Sequence, residues 1–273
     1  MARFLQLTDL HVVAAGARAS GVLDTRAILR TAVERLIDRR AALGHLDAVL
    51  VTGDVSDDGT AESYRFARGQ LDRLGLPLLA IPGNHDDRAE FRKAFADSPA
   101  MPSSGLIDWT TEIGDTVVIG LDTLVEGQGG GALRPESLAF LSEALARAGS
   151  RPVVVAVHHP PLRTGIRFMD AIGLEDIPAL QATLAQAGGE IIVVAGHVHG
   201  VFQGRIGRHP VATAPAVSSA FALDLRPDAP VGFMTGPTGC AVFDTGPDGV
   251  WAAVPLEIAS GPFPFQEIPM TVR

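Results

Sequence analysis

EIIVVAGHVHG, Glu190 to Gly200, begins as one kind of structure and ends as another. Ile191 to Ala195 is continuously aliphatic and β-branched, the composition of a strand covered on both faces. A strand needs no histidine to stop, and a solvated turn is more often built from Asn, Asp or Ser. Here the run ends in Gly196 and then two histidines, His197 and His199, separated by one residue. The pair asks for a chemical use of imidazole at a strand end.

Four more runs of the same kind lie upstream: ARFLQL, LDAVLVT, LPLLAI and RPVVVAV. Helical patterns separate most of them. From Thr25 to Ala42, Ile28, Leu29, Ala32, Val33, Leu36 and Ile37 recur on one face, with Arg30, Glu34, Arg35 and Asp38 on the other. Thr60 to Leu74 and Pro135 to Ala148 follow the same rule, the second with proline in its first turn. Alternation of strand and helix gives a layered α/β class. Ile107 to Thr123 carries two strand-like stretches around Gly114-Asp115, the pattern of a hairpin. From about residue 201 to 273 the chain is β-rich and irregular, and the whole of 1–273 reads as one domain with that segment as its last part.

Composition narrows the function. The chain has 273 residues, of which 47% are hydrophobic and 19% charged, enough apolar material for a large core. Its single cysteine, Cys240, excludes an internal disulfide framework. No apolar run reaches the roughly 20 residues that span a bilayer, and no export signal is legible, so the expectation is a cytoplasmic protein without a membrane partner. A formal charge of -9 argues against a nucleic-acid polymer as partner. Neither a G-x-S-x-G elbow nor a G-x-x-x-x-G-K-[ST] loop occurs.

The other strand ends are equally specific. The first run closes on TDLH (Asp9, His11), the second on TGD (Asp54), the third on PGNHD (Asn84, His85, Asp86) and the fourth on HHPP (His158, His159). Six of the eight histidines stand at such ends; His45 and His209 do not. Taken singly, each motif has a structural explanation: an Asx turn, a proline stop, a surface pair. Together they gather metal-type residues where open α/β sheets bind ligands, outside the carboxyl ends of the strands. On extended backbone, His197 and His199 would project to the same side, while His159 would face away from His158.

Imidazole, carboxylate and carboxamide suit divalent transition ions, with manganese, iron, zinc and cobalt all compatible. Asp9, His11, Asp54, Asn84, His158, His197 and His199 are too many donors for one tetrahedral ion. Two ions sharing a carboxylate, roughly 3.5 to 4 Å apart, fit better and can hold a hydroxide at neutral pH. Two divalent cations, two carboxylates and one hydroxide leave a single positive charge, the complement of a phosphodiester monoanion. The metals would then let an acidic protein bind phosphate.

The series TDLH, GD, GNHD, HHPP and GHVH, from Leu7 to about Gly200, resembles the calcineurin-like metallophosphoesterase superfamily. The resemblance implies a four-layer α/β/β/α sandwich. It implies that Asp9, His11, Asp54 and His199 hold one ion and Asp54, Asn84, His158 and His197 the other, with Asp54 bridging. His85 would be a catalytic histidine that contacts phosphate and assists the leaving oxygen, and Asp54 and Asn84 would share in catalysis. The stretch HHPPL followed by FMDAIGLED is most similar to bacterial class III cyclic-nucleotide phosphodiesterases and glycerophosphodiesterases. The implied activity is hydrolysis of small phosphodiesters, cyclic AMP among them, by a hydroxide held on the ions. A homo-oligomer is also implied, with GPFPFQ (Phe263, Phe265) near its contact. Two alternatives are a pyrophosphatase acting on a nucleotide-sugar lipid and a metal-free scaffold on the same fold. The first would want a basic or apolar insertion and the second a lost ligand, and the sequence has neither.

Overall fold

All five apolar runs become strands in the computed structural model, which describes residues 1–98, 101–246 and 248–257. In chain order the elements are β1 (Arg3–Leu7), α1 (Thr25–Asp38), α2 (Arg40–Leu43), β2 (Ala48–Thr52), α3 (Ala61–Leu71), β3 (Leu78–Ile81) and α4 (Arg88–Ala94). Then come β4 (Trp109–Ile113), β5 (Thr116–Gly120), α5 (Pro135–Ala148), β6 (Val153–Ala156), α6 (Arg167–Ala171) and α7 (Ile177–Leu184). The last are β7 (Ile191–Ala195), β8 (Gln203–Ile206), β9 (His209–Thr213), β10 (Gly239–Asp244) and β11 (Trp251–Pro255). GPFPFQ lies outside the described residues.

The helix read from Thr25 to Ala42 is two helices. Asp24 caps α1 by accepting from the Ala27 N–H, and the chain leaves the helix at Arg39, whose N–H is shared between the Arg35 and Ile37 carbonyls. The second helical pattern ends as a single 3₁₀ turn, Asp72–Leu74, closed by left-handed Gly75. The hairpin is as expected, β4 antiparallel to β5 with Ile113 opposite Thr116.

The strands divide between two sheets, in the orders β11-β10-β1-β2-β3 and β4-β5-β6-β7-β9-β8. A single shared sheet edge is therefore not what gathers the motifs. Val118, Val154, Ala156 and Val194 face the first sheet and join its core, which also takes in Leu29, Val33, Tyr64 and Phe91 from α1, α3 and α4. Alternate residues of the second sheet, Val117, Ile119, Val155 and Val193 among them, pack outward on Leu141 and Leu145 of α5 and Leu180 and Leu184 of α7. Helix, sheet, sheet and helix thus make four layers.

Register brings the ends together. Leu7 pairs Val51, Thr52 pairs Ile81 and Ala156 pairs Val194, so the parallel strands of each sheet finish level. Buried Gln6 ties the sheets beneath that edge, its amide donating to Thr52 Oγ1 at 3.0 Å and to the Ala195 carbonyl at 2.9 Å. Gly196, the residue that ends β7, must be glycine because the sheets converge there. A Cβ would overlap Thr8 Oγ1 and lie 2.9 Å from Asp9 Oδ2 and 3.0 Å from the Thr52 carbonyl. Gly196→Ala is expected to cost about 1–3 kcal/mol of overpacking, read as a lower urea midpoint in the metal-free protein.

Candidate metal centre

The loops after the strands are zipped to one another by backbone bonds. Asp9 N–H donates to the Gly53 carbonyl at 3.0 Å, His11 N–H to Asp54 at 2.9 Å, and Gly196 N–H to His158 at 3.1 Å. The backbone carries strain at the candidate ligand positions. Seven non-glycine residues among those described have positive φ, and five of them are Asp9 (53°), His11 (47°), Asp54 (51°), His197 (70°) and His199 (46°). Such conformations persist only where the surroundings impose them.

The seven candidate ligands meet as two nests. In one, His199 Nε2 lies 3.1 Å from His11 Nε2 and 3.4 Å from Asp9 Oδ1. In the other, Asn84 Oδ1 lies 3.1 Å from both His158 Nε2 and His197 Nδ1. Asp54 stands between them, Oδ2 being 3.5 Å from His11 Nε2 and 3.4 Å from His158 Nε2. Separations of this size suit donors that converge on a common ion. Asp54 Oδ1 is turned away and accepts the His85 N–H at 2.9 Å.

The extended-backbone reading of GHVH needs correction. With both histidines at positive φ the imidazoles part, His199 joining Asp9 and His11 while His197 joins Asn84 and His158. His159 does not face away from the second nest but packs beside it, its ring centroid 4.4 Å from that of His197 and 4.9 Å from that of His158. Its Nε2–H donates to the Gly129 carbonyl at 3.1 Å and its Nδ1 accepts from Thr123 Oγ1 at 2.8 Å, leaving no nitrogen for a ligand bond. Burial, then repulsion from His197, holds it neutral, far below the usual imidazole pKa.

Each of the other four imidazoles has its second nitrogen held. His11 Nδ1 meets Asp57 Oδ1 at 2.8 Å and His199 Nδ1 meets Ser219 Oγ at 3.0 Å. His158 Nδ1–H donates to the Thr52 carbonyl at 2.8 Å, and His197 Nε2–H to the Ile172 carbonyl at 2.9 Å. Outer partners of this kind fix tautomer and ring orientation so that the remaining lone pair points at a metal. Asp57 has a second task, accepting from His85 Nδ1 at 3.1 Å. Its sequence position, three residues after Asp54 in a polar loop, reads as a turn or loop group within reach of the outer shell; the folded loop brings it to two histidines. Asp86 is a brace instead. Its buried carboxylate accepts from Gly83, Val55 and Ser56 N–H groups and from Tyr64 Oη, tying the TGD loop to the PGNHD turn. Burial and the nearby Asp54 charge raise its pKa to about 6.

Electrostatics show how much charge the nests bury. Burial disfavours the charged forms of Asp9 and Asp54, yet neighbouring imidazoles outweigh it, holding Asp9 at about 2 and Asp54 well below the usual carboxylate range. Burial likewise pulls His158 down, but the Asp54 charge lifts it to about 9. His85 reaches about 9 for the same kind of reason, with Asp57 and Asp54 overcoming desolvation. Two buried carboxylates at this density require positive charge beside them. Asp9 and Asp54 with four imidazole nitrogens and one amide oxygen form a donor set that fits divalent transition ions.

The nests open into a cavity of about 180 Å³, bordered also by Ser218 and three phenylalanines, 168, 221 and 233. A larger cavity of about 650 Å³ opens at the other end of the strands, beside Arg205, Arg208 and Asp244. No metal-type cluster among the described residues lies there.

Asp57→Ala is expected to weaken metal binding about 10- to 100-fold, because the His11 orienting bond is lost, and to slow turnover by misplacing His85. Competition with a chromogenic chelator measures the first effect.

A family model described as calcineurin-like phosphoesterase matches residues 2–201. The chain is 30% identical over 237 residues to a probable glycerophosphodiester phosphodiesterase of Arcobacter nitrofigilis, covering 85% of each chain. It is 33% identical to a 3′,5′-cyclic adenosine monophosphate phosphodiesterase of Pseudomonas aeruginosa, covering 80% of this chain and 77% of the relative. To a cAMP/cGMP dual specificity phosphodiesterase of Mycobacterium tuberculosis it is 31% identical, covering 92% of this chain and 79% of the relative. Among solved structures, a dimetal phosphatase from Danio rerio shares the fold at a TM-score of 0.67 and 14% identity, with 94% of this chain and 96% of that one covered.

Proposed function

We propose that this chain, which belongs to the calcineurin-like phosphoesterase family, hydrolyses small phosphodiesters at the paired nests, with cyclic nucleotides or glycerophosphodiesters as physiological substrates. The carrying observation is Asp54 Oδ2, one carboxylate oxygen presented at 3.5 Å and 3.4 Å to histidines of two separate donor groups. Asp9, His11, Asp54 and His199 would hold one ion and Asp54, Asn84, His158 and His197 the other, from manganese, iron, zinc or cobalt. Divalent ions there supply positive charge to the phosphoryl oxygens and a water acidic enough to act as nucleophile near neutral pH.

The chain's own residues do the rest. His85 borders the cavity with its side chain 42% exposed, its Nδ1 bound to Asp57 and its charged form favoured. Its Nε2–H is left to donate a proton to the departing alcohol oxygen. Asp57 fixes that ring, and Asp54 Oδ1 fixes its backbone. Among the described residues the cavity lining contains no Lys or Arg, so nothing there beyond His85 and the ions would offset the second charge of a monoester. This supports a diester preference. The described lining also lacks the cationic groups a nucleotide-sugar pyrophosphate would call for, and a metal-free scaffold would have no use for seven convergent donors.

No helix among the described residues is long and apolar enough to cross a membrane. A cytoplasmic homo-oligomer completes the reading, supported by the exposed side chains of Leu223, Leu225, Val231 and Met234.

The test is chelation of the purified protein, reconstitution with each metal, and parallel assays of bis(p-nitrophenyl) phosphate, p-nitrophenyl phosphate, 3′,5′-cyclic AMP and glycerophosphoethanolamine. Metal-dependent turnover with diester faster than monoester is expected. Equal or faster turnover of the monoester contradicts the reading.

A further inference from the structure

The cavity over the nests has two unlike walls. One is the donor set with His85 and Asp57; the other is apolar, made by Leu23, Phe168, Met169, Ile172, Phe221 and Phe233. The apolar wall is firmly built. Ala220 and Met234 exchange backbone bonds of 3.0 Å and 2.7 Å, closing segment 221–233 at its base, and the first and last residues of that segment are the phenylalanines on the wall. The Phe221 ring lies nearly parallel to His199, centroids 4.4 Å apart at 25°, and meets Phe168 edge to face at 5.2 Å. Arg167 donates to the Pro227 carbonyl at 2.7 Å, fastening the segment to α6, which carries Phe168 and Met169. Ser218, whose buried hydroxyl has no partner among the described residues, lines the same cavity.

We propose that this wall is the subsite for a planar aromatic arm of the diester, the base of a nucleoside, and that Phe233 sets the preference for such an arm. The inference rests on the phosphodiesterase reading and narrows its substrate class. Aromatic side chains stack on any nucleobase, because every base offers a π-face. A glyceryl arm would lose water from its hydroxyls against side chains that cannot replace it. A choline arm would bring a cation beside two divalent ions, and the nearby Asp57 carboxylate is already shared by His11 and His85. Ser218 supplies a hydroxyl for the polar edge of the base or the sugar.

Three esters with the same leaving group isolate the retained arm: thymidine 5′-(p-nitrophenyl) phosphate, glyceryl p-nitrophenyl phosphate and p-nitrophenyl phosphorylcholine. For the manganese-loaded wild type, kcat/KM of the thymidine ester is expected to exceed the other two by about 10-fold or more, the size of a base-stacking contribution. Phe233→Leu should reduce that advantage to about 2-fold with metal content and thermal midpoint unchanged. Phe168→Leu is the second variant should the first fold poorly. Phe221 is avoided because its ring touches His199. A wild type that treats the arms alike or favours choline overturns the inference, as does a correctly folded Phe233→Leu that keeps the full advantage. Failure of the wild type to cleave any of the three esters would instead remove the phosphodiesterase reading on which it stands.

Discussion

Asp54→Ala is expected to lower turnover of bis(p-nitrophenyl) phosphate by about 10³-fold or more, several kcal/mol of lost transition-state stabilisation, and to bring bound metal from two ions per chain to one or none. The size follows from where the carboxylate stands. Oδ2 faces both nests, Oδ1 holds the His85 backbone, and the group is buried among imidazoles that keep it ionised. Removing it deprives each nest of a donor and loosens the histidine at the leaving group. Asp54→Asn keeps the shape but loses the charge, and should fall between alanine and the wild type in metal content. Elemental analysis and steady-state assays on the same preparations decide the matter; wild-type rates in the alanine variant would refute the shared-carboxylate arrangement.

His85→Ala should separate catalysis from metal binding. Loss of a positioned proton donor costs about 10²- to 10⁴-fold in kcat. His85 Nδ1 is committed to Asp57 and the side chain is partly exposed, so its removal leaves all seven donors in place and both ions are expected to remain. A variant that loses an ion would reclassify His85 as a ligand. The double variant His85→Ala/Asp57→Ala sharpens the point. With His85 absent, Asp57 has only His11 left to orient, so the two effects on rate should be less than additive.

Much of this was legible in the residues. Continuous aliphatic runs announced β1, β2, β3, β6 and β7, and period-3.6 patterns announced α1, α3 and α5. The five motifs named every member of the paired nests. What the sequence hid was of three kinds. Continuous apolar strands carry no sign of which sheet they join, so the division into two sheets came only with the resemblance and the pairing. Short helices such as α4, α6 and α7 offer too few turns for a period to show. Half of the outer support of the ligand histidines is backbone: the Thr52 and Ile172 carbonyls, like the Gly129 carbonyl at His159, have no side-chain signature. The same holds for the left-handed conformations of Asp9, His11, Asp54, His197 and His199, which let closely spaced histidines serve different nests. Gly83 is a partial exception. The glycine of PGNHD looks in sequence like ordinary turn chemistry, whereas a Cβ there would strike Asp54 Oδ1 and lie 2.8 Å from His158 Cε1.

Anomalous diffraction from crystals of the manganese-loaded protein, recorded at the manganese edge, bears most directly on the paired nests. The account predicts two peaks about 3.5 to 4 Å apart on either side of the Asp54 carboxylate. One would be enclosed by Asp9, His11 and His199, the other by Asn84, His158 and His197. A lone peak, or one centred on His158, His159 and His197 with the Asp9 nest empty, would contradict it.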